Sequence, residues 1–89
     1  MTTRYAQRPE SPATVVAGEA AVVTPGDARL HVLNEVGTRV WALCEGEGRT
    51  LEELVAALCA EFAVDEATAR AQTQAFVDEA VALGILRTD

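Results

Sequence analysis

The segment at residues 33–43 constrains the fold more than any other part of the chain, because it joins a predicted strand directly to a capped helix. Asn34 is placed to cap that helix, and Glu35 follows in the first turn, where a carboxylate favours the positive end of the helix dipole. Gly37 costs the same helix about 1 kcal/mol relative to alanine. We therefore expect a packing reason for this glycine, such as the close approach of another backbone.

Two further helices carry start signals of their own. Thr50 and Glu53 form a capping box ahead of an apolar run, and Asp65 is placed to cap a third helix that Gly84 can end. Apolar residues recur at helical spacing in all three segments. The sequence therefore predicts helices at residues 35–45, 51–62 and 66–83.

Short extended runs precede the helices. Two of them lie at residues 14–17 and 19–24, and the turn after the second contains Pro25 and Gly26, a pair that suits a type II turn. A third strand is predicted at residues 28–33. Strands followed by helices predict an α+β fold, winged-helix-like, in which a small three-stranded antiparallel sheet packs against three helices.

Length and composition allow one small domain. At 89 residues the chain has room for a single modest core, and because only 4% of its residues are aromatic, that core must be built mainly from Leu, Val and Ala. Residues 1–13, punctuated by Pro9 and Pro12, are predicted to form a flexible N-terminal arm, which leaves the domain itself at residues 14–89. A core of this size has little margin of stability, so a bound partner or dimerisation could matter.

The charge of the chain argues against two classes of partner. A formal net charge of −7 repels phosphate backbones and anionic membranes, so we expect binding to neither nucleic acid nor membrane. The amino terminus lacks the apolar segment of a signal peptide, and no run approaches the ~18 apolar residues that span a bilayer. Cys44 and Cys59 form no C-x-x-C motif and are interpreted as reduced, buried thiols. These features fit a cytoplasmic location.

The residues that carry most enzyme chemistry are missing or badly placed. His31 is the only histidine, so the chain cannot assemble a zinc site of the usual kind, and we expect neither metal nor cofactor. The paired acids Glu52–Glu53 and Asp78–Glu79 are adjacent on their helices and therefore do not face one another. We interpret them as solvated surface, and the protein as a binding domain that is not an enzyme.

Two other kinds of binding domain are compatible with the size of the chain. A winged-helix DNA-binding regulator would need a basic third helix, whereas Arg70 is the only basic residue there, against four carboxylates at positions 65, 66, 78 and 79. A small acidic carrier-like interaction protein is suggested by the string G-D-A-R-L at residues 26–30. A carrier needs a serine to hold its phosphopantetheine arm, and Ala28 stands at that position.

The order of motifs along the chain identifies a family resemblance. A strand leads into the motif L-N-E-x-G-x-x-V-W, and a short Gly/Glu turn then leads into R-T-L-E-E-L. After these come the motif F-x-V-D, a long helix and the motif L-G-I-L. This pattern resembles the PqqD family of precursor-peptide-binding proteins over roughly residues 14–87. The resemblance implies a domain that recognises the leader of a ribosomally synthesised precursor peptide. It would present that peptide to a modifying enzyme, usually a radical S-adenosylmethionine protein.

The resemblance also implies where the leader binds. In this family the leader adds as an extra strand beside the third strand and lies in the groove between that strand and the third helix. We expect one particular flank of the helix to form the groove, because it combines apolar residues outside the main stripe with a single positive charge. The expected strand edge is Arg29, Leu30, His31, Val32 and Leu33, and the expected helical wall is Arg70, Thr73, Val77 and Val81. The sequence leaves open which enzyme is the partner and whether the domain is a monomer or a strand-exchanged homodimer.

Overall fold

The computed structural model describes residues 3–10, 12–24 and 28–88, and these form three helices and six short strands. In chain order they are β1 (Arg4–Gln7), β2 (Ala13–Val16), β3 (Glu19–Val23), β4 (Leu30–Val32), α1 (Glu35–Leu43), β5 (Arg49–Thr50), α2 (Leu51–Glu61), α3 (Glu66–Leu83) and β6 (Leu86–Thr88). The strands make two antiparallel sheets, in the orders β5-β1-β6 and β2-β3-β4. The predicted α+β class is confirmed, with a second sheet that the sequence did not reveal. The predicted turn at residues 25–26 lies outside the described residues.

The three helices begin where their caps predicted. Asn34 Oδ1 accepts a hydrogen bond from the N–H of Gly37 at 2.8 Å, and Asp65 Oδ1 accepts one from the N–H of Thr68 at 2.7 Å. At α2 both bonds of the capping box are present. α1 ends at Leu43, two residues before the predicted end, because the N–H groups that follow turn back to carbonyls of the last helical turn. The helix assignments are therefore confirmed to within two residues.

β1 forms where the sequence predicted a flexible arm, so that prediction is wrong for Arg4–Gln7. The strand lies between β5 and β6, pairing Tyr5 with both Arg49 and Thr88. Gly48 permits this approach, because its φ is +85° and a Cβ at this position would collide with the carbonyl oxygen of Tyr5. The partner strands are distant in sequence and only two and three residues long, so no local signal predicts β1.

The buried core takes side chains from all three helices and from both sheets. Gly37 has a packing reason, although the neighbour is a ring and not a backbone. A Cβ at Gly37 would lie 3.0 Å from Cε1 of Phe76, so the ring of α3 rests against the first turn of α1. The largest fully buried side chains are Leu54, Leu58, Ile85, Leu86, Val22, Val40 and Val77.

One hydroxyl fixes the end of β4 to α1. Thr38 Oγ1 accepts a hydrogen bond from the N–H of Ala20 at 2.8 Å and donates one to the carbonyl of Leu33 at 3.2 Å. A direct bond of 2.7 Å from the N–H of Leu33 to the carbonyl of Ala20 lies beside it. The short link from strand to helix therefore keeps one orientation. Among the described residues no helix is both long enough and apolar enough to cross a membrane.

Candidate functional site

An open groove of about 370 Å³ lies between β4 and α3. Seven of its ten lining residues have apolar side chains, although polar atoms supply much of its exposed surface, and the buried Ile85 that follows α3 is among them. Of the predicted strand edge, residues 30–33 line this groove, whereas Arg29 lies just before β4. The lining residues are Leu30, His31, Val32, Leu33, Asn34, Phe76, Glu79, Ala80, Leu83 and Ile85.

The free edge of β4 presents the backbone groups of Leu30 and Val32. An antiparallel strand bonds to its neighbour at every second residue, so the bonds at the two ends of the β3–β4 ladder fix the direction of each group between them. His31 therefore directs its N–H and C=O at β3, while those of Leu30 and Val32 point away from β3 to the open edge. The bonds at the ladder ends run from the N–H of Leu33 to the carbonyl of Ala20 and from the N–H of Thr24 to the carbonyl of Arg29.

The side chains of β4 alternate between the two faces of the sheet. Leu30 and Val32 are 63% and 64% exposed on the outer face, which is unusual for large apolar side chains. His31 pairs with the fully buried Val22 and so shares the inner face, where its ring is half-buried. Its Nε2 atom is buried and has no hydrogen-bond partner among the described residues. The inner face of β4 thus holds an unsatisfied polar atom on a residue that lines the groove.

The helical wall of the groove is a different flank of α3 from the predicted one. Thr73 and Val77 are fully buried in the core, and Val81 is half-buried against it. Arg70 donates two hydrogen bonds to the carboxylate of Glu52 on α2, which hold the pKa of that carboxyl below its usual value. The predicted flank therefore faces α2 and the core, so the prediction that it lines the groove is wrong.

The flank that does line the groove is Phe76, Glu79, Ala80 and Leu83. The sequence placed Glu79 among the solvated carboxylates and put the groove on the opposite flank of α3. The helix packs against α2 and also contacts α1 and β6, and helical spacing alone cannot show which apolar residues meet these neighbours and which border a groove. Leu83 fits the apolar spacing of a buried face, yet its side chain is 39% exposed beside the groove.

A second depression, of about 630 Å³, lies beside β2 at the other edge of the same sheet. Arg39 and Glu61 are paired there, since Arg39 Nε donates to both carboxylate oxygens of Glu61 at 2.8 and 3.0 Å, whereas Glu19 and Glu35 also line it. A third depression, between α1 and α3, shares Asn34 and Phe76 with the groove at β4. The β4 groove differs from the second depression because it lies between a free strand edge and α3, which is where the family resemblance places the leader.

The described ranges hold no set of three His, Cys, Asp or Glu side chains placed to bind a metal ion. Both cysteines are free thiols, and Cys59 is only half-buried, whereas the sequence predicted that both would be buried. Burial of Cys44 raises the pKa of its thiol to about 12, so this group stays protonated at neutral pH and is a poor nucleophile.

Fold and groove together define a class of protein: a small winged-helix-like domain whose open strand edge faces a helix across a groove. This is the arrangement that strand addition of a peptide requires. The family model described as Coenzyme PQQ synthesis protein D (PqqD) matches residues 19–86. The chain belongs to this family, and the resemblance found in its motifs is confirmed.

A solved structure supports the same assignment. TbiB1 in complex with the TbiA(beta) leader peptide has a TM-score of 0.81 and 26% sequence identity to this chain, over 91% of this chain and 93% of that one. No curated protein matches the chain in sequence. The similarity to TbiB1 therefore extends over nearly the whole of both chains.

Proposed function

We propose that this protein binds the leader of a ribosomally synthesised precursor peptide by strand addition at β4 and presents the peptide to a modifying enzyme. The observation that carries the proposal is the free edge of β4 facing the groove along α3. Membership of the PqqD family and the similarity to a chain solved with a leader peptide support it.

Strand addition at this edge has a clear physical basis. The outward N–H and C=O groups of Leu30 and Val32 offer a ladder that a peptide completes, and each bond contributes about 1 kcal/mol net. A bound peptide would also cover Leu83 of α3 and the exposed side chains of both strand residues. Burying this apolar surface would stabilise the complex further, at about 25 cal/mol per Å².

The chemistry itself falls to the partner enzyme in this proposal. A protein that only binds and presents its peptide needs neither a nucleophile with its base nor a metal. The family resemblance favours a radical S-adenosylmethionine protein as that enzyme. Formation of a homodimer and a cytoplasmic location are two further predictions, and the free thiols agree with the second of them.

No observation favours the DNA-binding alternative. A recognition helix needs cations that can reach phosphate, and the guanidinium of Arg70 on α3 is already engaged by the carboxylates of Glu52 and Glu66. The groove itself carries one acidic side chain, Glu79, and no lysine or arginine among its described lining residues. We expect no salt-dependent binding to duplex DNA.

Calorimetric titration with the synthetic leader of a precursor peptide, sought among the neighbouring genes, tests the proposal, with a scrambled leader as control. Val32→Pro removes an outward N–H from β4 and should lower affinity at least tenfold, whereas the fold should persist because edge strands tolerate proline. Val15→Pro is the matched control, because the bond from the N–H of Val23 to the carbonyl of Pro12 places the N–H of Val15 at the free edge of β2. Proline at His31 is unsuitable, since that N–H faces β3.

Two results would contradict the proposal. One is a wild-type protein that does not distinguish the leader from its scrambled form. The other is an equal change of affinity in Val32→Pro and Val15→Pro while circular dichroism shows both variants to be folded. Binding would then have no specific dependence on the β4 edge.

A further inference from the structure

The groove beside β4 holds one carboxylate among its described lining residues, that of Glu79, and seven of the ten lining residues have apolar side chains. Glu79 is exposed, and no cation of the described residues forms an ion pair with it. Its neighbour Asp78 differs, since it accepts a hydrogen bond of 2.8 Å from Gln74 on the same helix. Glu79 is thus available to a ligand in the groove.

A peptide strand added to β4 would place its side chains alternately. Residues of neighbouring strands that lie opposite each other point to the same face of a sheet. Peptide residues opposite Leu30 and Val32 would therefore point to the outer face, together with those two exposed side chains. The peptide residue between them, opposite His31, would point inward to the wall of α3 that carries Glu79.

That inward position has the polar character of a cation site. A bound peptide would exclude water from the carboxylate of Glu79, and a carboxylate left covered without a partner is costly. The buried Nε2 of His31 has no partner among the described residues, and it can also accept such a donor when the ring proton is on Nδ1. Lysine and arginine carry several N–H donors on long apolar stems, so one side chain can serve these acceptors while its stem lies against Ala80 and Leu83. The net charge of −7 further favours a basic ligand.

We infer that the groove selects leader peptides with a lysine or arginine at the inward-facing position opposite His31, and that the carboxylate of Glu79 recognises this cation. The inference rests on the proposed strand addition at β4 and names the side-chain specificity of that site. Glu79 is then a specificity-determining residue, whereas the backbone edge of β4 supplies affinity for many sequences.

Selection from a phage-displayed library of random peptides tests this and does not require the natural leader. The library is selected on the wild-type protein, on Glu79→Lys and on Asp78→Lys, and peptides are kept only if Val32→Pro abolishes their binding. Wild type and Asp78→Lys should enrich one lysine or arginine flanked by apolar residues, and Glu79→Lys should enrich aspartate or glutamate at the same position. Asp78→Lys is the matched control, because it makes the same charge change one residue away from the groove.

A selected peptide is then synthesised with its basic residue intact and with that residue replaced by methionine. The replacement should lower affinity for the wild-type protein about tenfold and change affinity for Glu79→Gln by less than about twofold. Peptides that depend on β4 but show no basic enrichment, or an equal loss on both proteins, would overturn the inference and leave the proposed function standing. A library without any peptide that depends on β4 would contradict the proposed function itself.

Discussion

The β5-β1-β6 sheet and the β2-β3-β4 sheet both have three antiparallel strands, yet they differ in what surrounds them. In the first sheet Ala6 and Leu86 are almost fully buried, and the side chain of Gln7 donates a hydrogen bond of 2.8 Å to the carbonyl of Trp41. In the second sheet Val16 and Val32 are 65% and 64% exposed. The first sheet therefore holds the fold together, and the second leaves surface free for a partner.

This difference separates stability from recognition in a very small protein. A domain of this size buries little apolar surface, so a sheet that is itself largely exposed contributes little to the free energy of unfolding. The β1 strand adds stability because it pairs with two other strands. It pairs with β5, which leads directly into α2, and with β6, which follows the C-terminal end of α3. Changes in the first sheet should therefore alter stability, and changes at the β4 edge should alter binding.

The largest expected effect comes from Gly48→Ala at the first sheet. The added Cβ would collide with the carbonyl of Tyr5, and alanine is strained at a φ of +85°, so the free energy of unfolding should fall by about 3 kcal/mol. Gly46→Ala is the control: its φ is +72°, but nothing lies within 4 Å of the added Cβ, so only about 1 kcal/mol should be lost. Urea denaturation measures both. Equal losses would show that the contact with β1 does not limit position 48.

The next effect compares the two edges of the second sheet. Val32→Ser and Val16→Ser remove apolar side chains of almost equal exposure from β4 and β2. Neither should change the free energy of unfolding by more than about 0.5 kcal/mol. Leader affinity measured by calorimetry should fall by about 1 kcal/mol for Val32→Ser alone, since only Val32 lies on the strand to which the peptide is proposed to add, where the peptide would cover part of its exposed side chain. A similar loss for Val16→Ser would extend the binding surface across the whole sheet.

A smaller effect should separate the two flanks of α3. The hydroxyl of Thr73 is buried and has no hydrogen-bond partner among the described residues. Thr73→Val replaces it with a methyl group of the same shape and should raise the free energy of unfolding by about 1 kcal/mol without changing leader affinity. Thr68→Val, at an exposed position of the same helix, should not stabilise. A loss of affinity in Thr73→Val would mean that the core flank of α3 influences the groove.

The helices and the third strand could be predicted because their signals are local. Asn34, Thr50 and Asp65 each cap a helix through bonds to residues three positions away. The strand β1 could not be predicted, since it depends on pairing between Tyr5 and Thr88, which are far apart in sequence. A pairing of that kind leaves no mark in a short run of residues.

The wall of the groove was the other failure, and its cause is geometric. Helical spacing shows which residues share a face but not which neighbour each face meets. Val77 lies beside Phe76 in the sequence, yet Val77 is fully buried in the core and Phe76 borders the groove. Glu79 was interpreted as solvated surface because an exposed carboxylate on a helix carries no sign of the strand that lies opposite.

The smallest expected effect is an acid sensitivity of the contact between β1 and α2. The carboxylate of Glu53 accepts a hydrogen bond from the N–H of Thr50 and lies 3.7 Å from Arg4 Nη2, and these interactions lower its pKa below 4.5. Because the folded-state pKa lies below the unfolded value, the contribution of Glu53 is present above pH 4.5 and is lost as the pH falls through the folded-state pKa. Glu53→Gln keeps an oxygen that can accept the N–H of Thr50 but removes the charge. Urea unfolding across this pH range should therefore show a steeper loss of stability on acidification in the wild type than in Glu53→Gln, and parallel curves would show that Glu53 does not couple β1 to α2 by charge.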